Sequence, residues 1–255
     1  MKSSALLGCV LLMALGTVAA GAENTSLEIA ERDNKLNKAV IEFLENLQKS
    51  MPCGIPDMGI PVLAPLELDH VEFDVVQKGL RFKTEFNDLL VEGLDDFEIR
   101  KIDVKVLKLQ LDFEFFFNSI RTKGKYQVKG KTLGFIPFQR SGPFKFNVNG
   151  ITLKGTVKVA LKGDSLQIRD LRITTTIESV NSKLKNVFHS RLLTLAFNRM
   201  VEGAVPGIIN DNQVAITDTI ESSVKPALNE VLSEISLQDL IDATTGEGSS
   251  LPVTC

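Results

Sequence analysis

The spacing of apolar residues changes twice along the chain, from a helical period to strict alternation and back. Up to Pro52, apolar residues recur at steps of three and four, and proline bars further helix. This pattern predicts an amphipathic N-terminal helix within 23–51. Its apolar positions are Leu36, Val40, Phe43, Leu44 and Leu47.

A proline-rich connector follows the predicted helix. Prolines stand at 52, 56, 61 and 65, a density that neither a helix interior nor a central strand tolerates. We therefore expect an extended connector over 52–69. Its isoleucine and leucine side chains are expected to cover one end of the fold.

Residues 70–178 alternate between apolar and polar positions, which is typical of strands with one dry face and one wet face. The alternating segments are 70–76, 80–86, 97–117, 126–128, 144–161 and 166–177. Segment 97–117 would span about 70 Å if fully extended, so it must bend, split or coil. Changes of parity at Leu107 and at Asn149-Gly150 indicate β-bulges.

Glycine-containing turn signals separate the alternating segments. They are Gln77-Lys78-Gly79, Lys123-Gly124, Gly130, Ser141-Gly142-Pro143 and Lys162-Gly163-Asp164. We therefore expect an antiparallel meander of long, bent strands.

The helical period returns over 181–242, with one helix ending near Pro206-Gly207 and another starting near Ile216. Residues 246–255 are expected to form a flexible tail. Strands followed by helices predict the α+β class within a single domain, 23–245. The expected architecture is a super-roll, in which a long, strongly curved antiparallel sheet wraps around a long C-terminal helix, with the N-terminal amphipathic helix added.

The first 22 residues have the features of a secretory signal peptide: Lys2, an apolar run, and small residues around Ala22. We therefore expect a secreted, extracellular protein. The mature chain would keep Cys53 and Cys255, which predicts one disulfide, although two free thiols or an intermolecular bridge stay open. Asn24 begins an N-x-S/T sequon and is the predicted glycosylation site.

Catalytic chemistry is sparse in this sequence. The chain has two histidines, His70 and His189, one tyrosine and no tryptophan, and it lacks H-x-x-x-H and C-x-x-C pairs. Gly163-Asp164-Ser165-Leu166 spells the nucleophile motif of the GDSL hydrolases, but no D-x-x-H partner follows to activate the serine. We predict no catalytic residue, metal site or cofactor, and therefore a protein that is not an enzyme. We also predict that it binds no nucleic acid.

Phenylalanine is the residue type that stands out. The sequence has 15 phenylalanines, many of them on the dry face of the predicted strands. A sheet that rolls around helices without closing tightly leaves an apolar slot for a hydrophobic guest. The predicted ligand-binding residues are Val75, Phe82, Phe113, Phe115, Phe146, Leu195 and Ile220. A competing interpretation is that these side chains simply fill the core.

Charge is unevenly distributed along the chain. Residues 100–172 contain 16 lysines and arginines against 5 aspartates and glutamates. A solvated sheet surface explains this excess. The alternative function is innate-immune or membrane-surface recognition, in which the basic sheet face engages an anionic or bacterial lipid.

Three segments resemble a known family. Gly54-Ile55-Pro56 with the run from Gly59 to Leu66, GIPVLAPL, resembles the proline signature of takeout and juvenile-hormone-binding proteins, shared with mite group 7 allergen-like proteins. The run from Val91 to Phe97, VEGLDDF, and the run from Gly124 to Gly130, GKYQVKG, resemble two further steps of that pattern. The resemblance covers about residues 36–240.

The resemblance implies a tubular lipid-binding fold and carriage of a small hydrophobic ligand, such as a lipid, fatty acid or terpenoid, in an apolar tunnel. Takeout and hormone-binding members usually carry a cysteine pair upstream of the proline signature. This chain has none between residue 23 and Cys53. That departure favours the group 7 allergen branch over a juvenile-hormone carrier.

Overall fold

The computed structural model describes residues 30–54, 61–77, 80–132, 136–162 and 165–214, and then 217–218, 221–222, 225–226 and 229. For residues 73–77, 80–82, 131–132, 136–138, 161–162 and 165–166 it describes the backbone alone. The predicted signal peptide, Asn24, Ile220 and Cys255 lie outside these ranges.

Seven strands among the described residues form one antiparallel sheet. They are β1 (Leu66–Gln77), β2 (Leu80–Glu92), β3 (Phe97–Lys105), β4 (Gln110–Thr132), β5 (Ile136–Lys162), β6 (Ser165–Thr176) and β7 (Ser179–Ser182). Their order is β1-β2-β4-β5-β6, with β3 paired to β4 and β7 paired to β5. The sheet therefore has β1 and β3 along one side and β6 and β7 along the other.

Two helices flank the sheet. Residues 30–50 form α1, and Arg191–Asp211 form α2, whose first turn is capped by the Ser190 hydroxyl accepting from the Leu193 N–H. Beyond Asn212, every described residue up to 229 is helical. The α+β class, with its long antiparallel sheet and its two terminal helices, is confirmed.

The segment 97–117 splits into two strands. A 3-10 turn over Val106–Lys108 separates β3 from β4, and Leu109 takes the left-handed conformation with φ 47°. The change of parity at Leu107 therefore marks a hairpin between two paired strands, and the predicted bulge is wrong. Because the segment folds back on itself, it does not span the roughly 70 Å that a single extended strand of this length would need.

Gly124, Gly130 and Gly142 lie inside strands, so the turns predicted there are wrong. Each glycine pairs with an aromatic residue on the neighbouring strand: Gly124 with Phe144, Gly130 with Phe138, and Gly142 with Tyr126. A Cβ at Gly124 would stand 3.2 Å from the Phe144 ring, and one at Gly142 would stand 2.3 Å from the Lys185 carbonyl oxygen, so these two positions leave little room for a side chain. The hairpins expected at 77–79 and 162–164 are consistent with the strand ends at those positions.

The change of parity at Asn149-Gly150 is a real distortion in β5. Gly150 has a φ of 61°, in the region that favours glycine, and Asn118 and Gly150 do not pair although β4 and β5 keep the same register on both sides. In both strands, the residues on the dry face are odd-numbered on one side of this distortion and even-numbered on the other side.

Helix α1 closes the free edge of β3. The Asn37 side chain accepts from the Val104 N–H at 2.7 Å, and Asp33 accepts from the Val106 N–H at 3.0 Å. The Gln48 amide donates to two carbonyl groups at the start of the same strand. These bonds satisfy edge groups that would otherwise offer a template for another strand.

Helix α2 closes the opposite edge in the same manner. Asn198 is buried and holds the segment after β7, because its carbonyl accepts from the Ser182 hydroxyl and the Leu184 N–H while its NH₂ donates to the Leu184 carbonyl. Glu202 accepts from the Ser182 N–H at 2.7 Å. Asparagine and glutamate at a four-residue spacing thus face the sheet.

The contacts continue along β6 as the chain proceeds. Asn210, Gln213, Thr217 and Asn229 bind backbone groups of Ile177, Thr175, Ile173 and Ile168, respectively. Because the helix runs antiparallel to β6, each later residue reaches an earlier position in the strand. The polar side chains named here, from Asn198 to Asn229, therefore contact successive positions along this edge of the sheet.

The connector is shorter and more exposed than expected. Strand β1 begins at Leu66, inside the predicted range 52–69. Of the isoleucine and leucine side chains expected to cover one end of the fold, Leu68 is exposed, Leu63 and Leu66 are half-buried, and Ile55 and Ile60 lie outside the described residues. The cause is local: the N–H groups of Leu63 and Ala64 both donate to the Met51 carbonyl, which ties the connector back to the end of α1.

Two predicted helix boundaries are wrong. Residues 179–182 form β7, and α2 starts ten residues after the predicted onset at 181. At its other end α2 continues through Pro206 to Asp211. Apolar spacing alone could not distinguish the ordered loop 183–190 from a helix.

Candidate functional site

The phenylalanines of the sheet form two groups. The β3–β4 aromatic cluster consists of Phe97, Phe113, Phe115 and Phe117. Within it, Phe113 and Phe115 stack with ring centroids 5.1 Å apart, and Phe97 meets Phe115 edge-on at 5.5 Å. Aromatic pairs at such distances stabilise one another beyond their buried area.

The β5 aromatic cluster consists of Phe86, Phe144 and Phe146. Phe144 lies 5.2 Å from Phe86 and 5.3 Å from Phe146. Phe146 pairs with Thr122 of β4, seven positions beyond Phe115. At about 3.3 Å per residue, Phe115 and Phe146 are separated by about 23 Å of strand, with the Gly150 distortion between the two clusters.

Phe113 connects the β3–β4 aromatic cluster to the core. It packs against the buried residues Ile168, Leu171 and Ile173 of β6. Gly155 lies directly opposite it, and a Cβ at that position would stand 2.4 Å from the ring. The ring therefore occupies the space that a side chain would take.

Phe116, next to Phe115 in the strand, belongs to the other face of the sheet. The Arg100 guanidinium lies 3.6 Å above its ring centroid, which is a cation–π contact. The pair explains why a phenylalanine is tolerated on the wet face. Phe115 and Phe116 thus offer a matched comparison of the two faces at one level of β4.

Burial distinguishes this sheet from an ordinary core. Among the phenylalanine side chains that the structure describes, Phe144 alone is fully buried. Phe113, Phe115 and Phe146 are half-buried. The part of each ring that stays exposed on the dry face is available to an apolar partner.

The predicted binding residues do not come together as one set. Phe113 and Phe115 share the β3–β4 aromatic cluster, and Phe146 belongs to the β5 aromatic cluster. Val75 and Phe82 pair directly across the β1–β2 hairpin, with only their backbone described. Leu195 of α2 is 51 % exposed and belongs to neither cluster, and Ile220 lies outside the described residues.

A cleft of about 550 Å³ lies along the helical residues beyond Asn212. It is lined by Asp218, Glu221, Ser222, Lys225, Pro226 and Asn229. The cleft is open to solvent. Its described lining residues are charged or polar apart from Pro226, although the surface that they turn towards it is mainly apolar. None of the predicted binding residues that the structure describes lines it, and Ile220 lies outside the described residues. The aromatic clusters are the better candidate for an apolar ligand because several rings contact one another there.

The described residues hold no group of three His, Cys, Asp or Glu side chains that could bind a metal. His70 is exposed on β1, and it bonds Asn87 at 2.8 Å and Glu72 at 3.1 Å. These hydrogen bonds, the one to Asn87 first, raise its pKa above the usual 6.5. Exposure and carboxylate pairing of this kind are typical of a surface histidine.

The most strongly shifted carboxyl group lies beneath the β3–β4 turn. Partial burial raises the pKa of Asp112, but hydrogen bonds from Lys105, Thr156 and Gln110 outweigh it and hold that pKa at about 2. Lys105 also pairs with Asp103 at 3.3 Å. Every partner is a structural neighbour in the sheet, so this cluster stabilises the turn.

Four lysines of the proposed basic sheet face form ion pairs within the sheet. Lys101, Lys105, Lys154 and Lys158 each lie within ion-pair distance of a carboxylate. Residues 100–172 nevertheless carry 16 lysines and arginines against 5 aspartates and glutamates, so these pairs leave most of the positive charge unbalanced. Binding of an anionic lipid by the basic sheet face therefore stays a prediction.

Cys53 is disulfide-bonded at the end of α1. Cys9 and Cys255, the other two cysteines of the sequence, both lie outside the described residues. A bridge from Cys53 to Cys255 therefore stays a prediction. Such a bridge would close a loop of about two hundred residues.

Helix α2 is long and apolar enough, by length and composition, to cross a bilayer, and only 6 % of its apolar window is buried. Its exposed apolar side chains include Leu192, Leu193, Leu195, Met200 and Ile208. Of these residues, Leu195 was predicted to face inward and bind the ligand, because the helical period of its segment is that of a core helix. The signal it missed is the polar series that starts at Asn198 and binds the sheet.

Comparison with known proteins agrees with this architecture. The structure is similar to the crystal structure of Epiphyas postvittana Takeout 1, with a TM-score of 0.59 and 18 % identity over 78 % of this chain and 92 % of that one. At this identity the likeness shows the fold alone. A crystal structure of lipopolysaccharide binding protein aligns with a TM-score of 0.32 and 18 % identity, over 62 % of this chain and 35 % of that one.

No curated protein sequence matches the chain. The family model described as haemolymph juvenile hormone binding protein matches residues 9–242. That match spans the N-terminal helix, the whole sheet and α2. The chain belongs to the haemolymph juvenile hormone binding protein family.

Proposed function

We propose that this protein is a secreted, non-enzymatic carrier of one small hydrophobic ligand, held against the half-buried phenylalanines of the sheet. The observation that carries the proposal is the incomplete burial of the β3–β4 aromatic cluster. Removing such surface from water stabilises a complex by about 25 cal/mol per Å². Few polar groups face the cluster, so the expected preference is for apolar shape.

Membership of the family supports a hydrophobic ligand in general terms, since its description names a hormone-binding protein of haemolymph. The specific ligand is part of the proposal. The absence of a cysteine pair between residue 23 and Cys53 favours a ligand other than juvenile hormone, in the manner of the group 7 allergen branch. A fatty acid, another lipid or a terpenoid fits the aromatic surface.

The test is binding of a fluorescent fatty acid to the secreted protein, together with native mass spectrometry and lipid analysis of an organic extract. A bound mass of a few hundred daltons, or saturable uptake of the probe, supports a carrier. A protein that comes out empty and also fails to take up the probe contradicts it.

A matched pair of variants locates the site. Phe115→Ala removes a ring from the β3–β4 aromatic cluster, and we expect it to weaken probe binding by about tenfold, equivalent to about 1.4 kcal/mol. Phe116→Ala removes a neighbouring ring from the other face and should leave binding unchanged. Equal losses in both variants would mean that the probe senses stability and not this surface.

A further inference from the structure

The start of α2 and the loop before it combine exposed apolar side chains with unbalanced positive charge. We call this region the α2 entry surface. It consists of Phe188, Leu192, Leu193, Leu195 and Met200, with Lys183, Lys185, Arg191 and Arg199 around them. All of these side chains are exposed.

Several apolar side chains of this surface are highly exposed. Leu192 is 79 % exposed, Leu193 57 % and Met200 59 %, within three turns of one helix. Single exposed leucines are ordinary, whereas a group of them indicates contact with a protein, a ligand or a membrane. Aromatic and aliphatic residues bordered by lysine and arginine are typical of helices that lie at a lipid interface.

The loop that presents this surface is fixed in place. Lys183 and Lys145 exchange backbone hydrogen bonds, and the Lys185 N–H donates to the Pro143 carbonyl. The Tyr126 hydroxyl donates to the Lys185 carbonyl at 2.7 Å. An ordered loop loses little conformational freedom when it docks, so binding through this loop has a small entropic cost.

The exposed phenylalanine of the loop is held by its own contacts. The Phe188 ring meets Phe197 edge-on at 5.8 Å, and the Thr194 hydroxyl bonds both the N–H and the carbonyl of Phe188. The Arg140 guanidinium donates to the Val187 carbonyl and adds positive charge beside the loop. Phe188 is thus held on the surface while remaining 41 % exposed.

The charge on this surface is not balanced by acids nearby in the chain. The sequence has no aspartate or glutamate between Glu178 and Glu202. Glu202 accepts a hydrogen bond from the Ser182 N–H on the sheet-facing side of α2. Four lysines of the sheet, Lys101, Lys105, Lys154 and Lys158, are paired with carboxylates. Among the described residues, the basic side chains of the α2 entry surface form no such ion pair.

We propose that the α2 entry surface docks the protein onto an anionic phospholipid bilayer, with α2 lying in the plane of the interface. The apolar side chains would enter the headgroup region, and the basic residues would contact lipid phosphates. Asn198 and Glu202 hold one side of the helix against the sheet, and Leu193 and Met200 lie on the opposite side. With that side in the headgroup region, α2 lies flat on the membrane and does not cross it. This inference goes beyond ligand carriage and gives the carrier a place to take up or release its cargo.

The test is co-sedimentation of the full secreted chain with lipid vesicles, with no ligand added. We expect binding to phosphatidylcholine vesicles that contain about 30 % phosphatidylglycerol, and little binding to phosphatidylcholine alone. Raising the salt concentration from about 50 to about 300 mM should weaken that binding strongly. Equal binding to both vesicle types, or none to either, overturns the proposal.

Two double variants separate the charge from the apolar contact. Lys185→Glu with Arg191→Glu should weaken binding at least about tenfold, since each basic residue near the surface contributes about fivefold. Glutamate at the first helical position suits the helix dipole, so α2 should keep its fold. Leu192→Ser with Leu193→Ser should weaken binding at every salt concentration.

The matched control is Lys108→Glu with Lys123→Glu, an equal change of charge at exposed positions elsewhere on the sheet. It should bind vesicles as the unchanged protein does, and an equal loss would show attraction by net charge alone and overturn the proposal. Sedimentation velocity supplies the remaining outcome. If the unchanged protein is a dimer and the Leu192→Ser, Leu193→Ser variant is a monomer, a second copy covers this surface. That result also overturns the proposal.

Discussion

A helix closes each edge of the sheet through side-chain hydrogen bonds to backbone groups, but the two helices differ in how far their apolar side chains are exposed. Helix α1 binds the β3 edge through Asp33, Asn37 and Gln48, and it buries Leu36. Helix α2 binds the β6–β7 edge through side chains of the same classes, yet leaves its leucines exposed.

The difference shows that edge closure and core formation are separate tasks. A polar side chain that bonds an edge N–H or carbonyl prevents pairing with another strand, and it requires no apolar burial. Because α2 is held by hydrogen bonds, its apolar side is available for other contacts. In α1 the two tasks coincide at Leu36, and Phe43 is the one large apolar side chain that its described residues leave exposed.

The largest expected effect is at the α2 edge. Asn198→Ala removes the amide that satisfies the Ser182 hydroxyl and the Leu184 backbone, and it leaves these groups unpaired in a buried place. We expect a loss of about 3 kcal/mol in the free energy of unfolding, measured by urea denaturation. A loss below about 0.5 kcal/mol would show that the polar contacts of α2 do not hold it.

The equivalent change at the α1 edge should be smaller. Asn37→Ala removes one bond to the Val104 N–H, at a site that water can reach. The expected loss is about 1 kcal/mol, because the freed N–H can bond water. If Asn37→Ala costs as much as Asn198→Ala, the two edges are equally dependent on their caps, and the comparison fails.

The ion-paired turn beside α1 should make that side of the sheet sensitive to acid. The pKa of Asp112 is lowered to about 2 in the folded protein, so its stabilisation is complete above the ordinary pKa of 3.8 and is lost as the pH falls towards 2. Asp112→Asn should cost about 1–2 kcal/mol at neutral pH, since solvent reaches the pair and screens it.

The check on Asp112 is the pH dependence of unfolding. Between pH 5 and pH 2, the difference in stability between Asp112→Asn and the unchanged protein should shrink towards zero. A difference that stays constant over this range would mean that the variant acts through packing and not through the charge.

The smallest expected effect is at the β1–β2 hairpin. The pKa of His70 is raised by its bonds to Asn87 and Glu72, so its stabilisation is complete below the ordinary pKa of 6.5 and is lost as the pH rises through the raised value. NMR titration should place this pKa above 6.5. Asn87→Ala should lower it, and an unchanged pKa would contradict the hydrogen bond.

Much of the fold could be predicted from the sequence because burial imposes a period. Alternation over 70–178 predicted a one-sided antiparallel sheet, and the step at Asn149-Gly150 predicted a distortion that the φ of Gly150 confirms. Glycine was interpreted less well. Gly124, Gly130 and Gly142 indicated turns, although each lies within a strand and pairs with an aromatic residue, because local sequence does not show which residue lies across the sheet.

The candidate site was predictable in part. Alternation correctly put Phe113 and Phe115 on one face, because neighbours two apart in a strand share a face. It could not show that Phe146 lies in a separate cluster, since that depends on the register of β4 against β5 and on the distortion at Gly150. Nor could it show that Leu195 is exposed.

By itself, the sequence determined which residues alternate, where proline ends the first helix, and that aromatic surface exceeds catalytic chemistry. These are local or compositional properties, and each residue carries them wherever it is placed. Only the tertiary structure decided that Asn198 faces the sheet while Leu192 faces outward. A polar side chain can hydrogen-bond an unpaired backbone group at a sheet edge, and an apolar side chain cannot. That edge exists only once the strands have assembled.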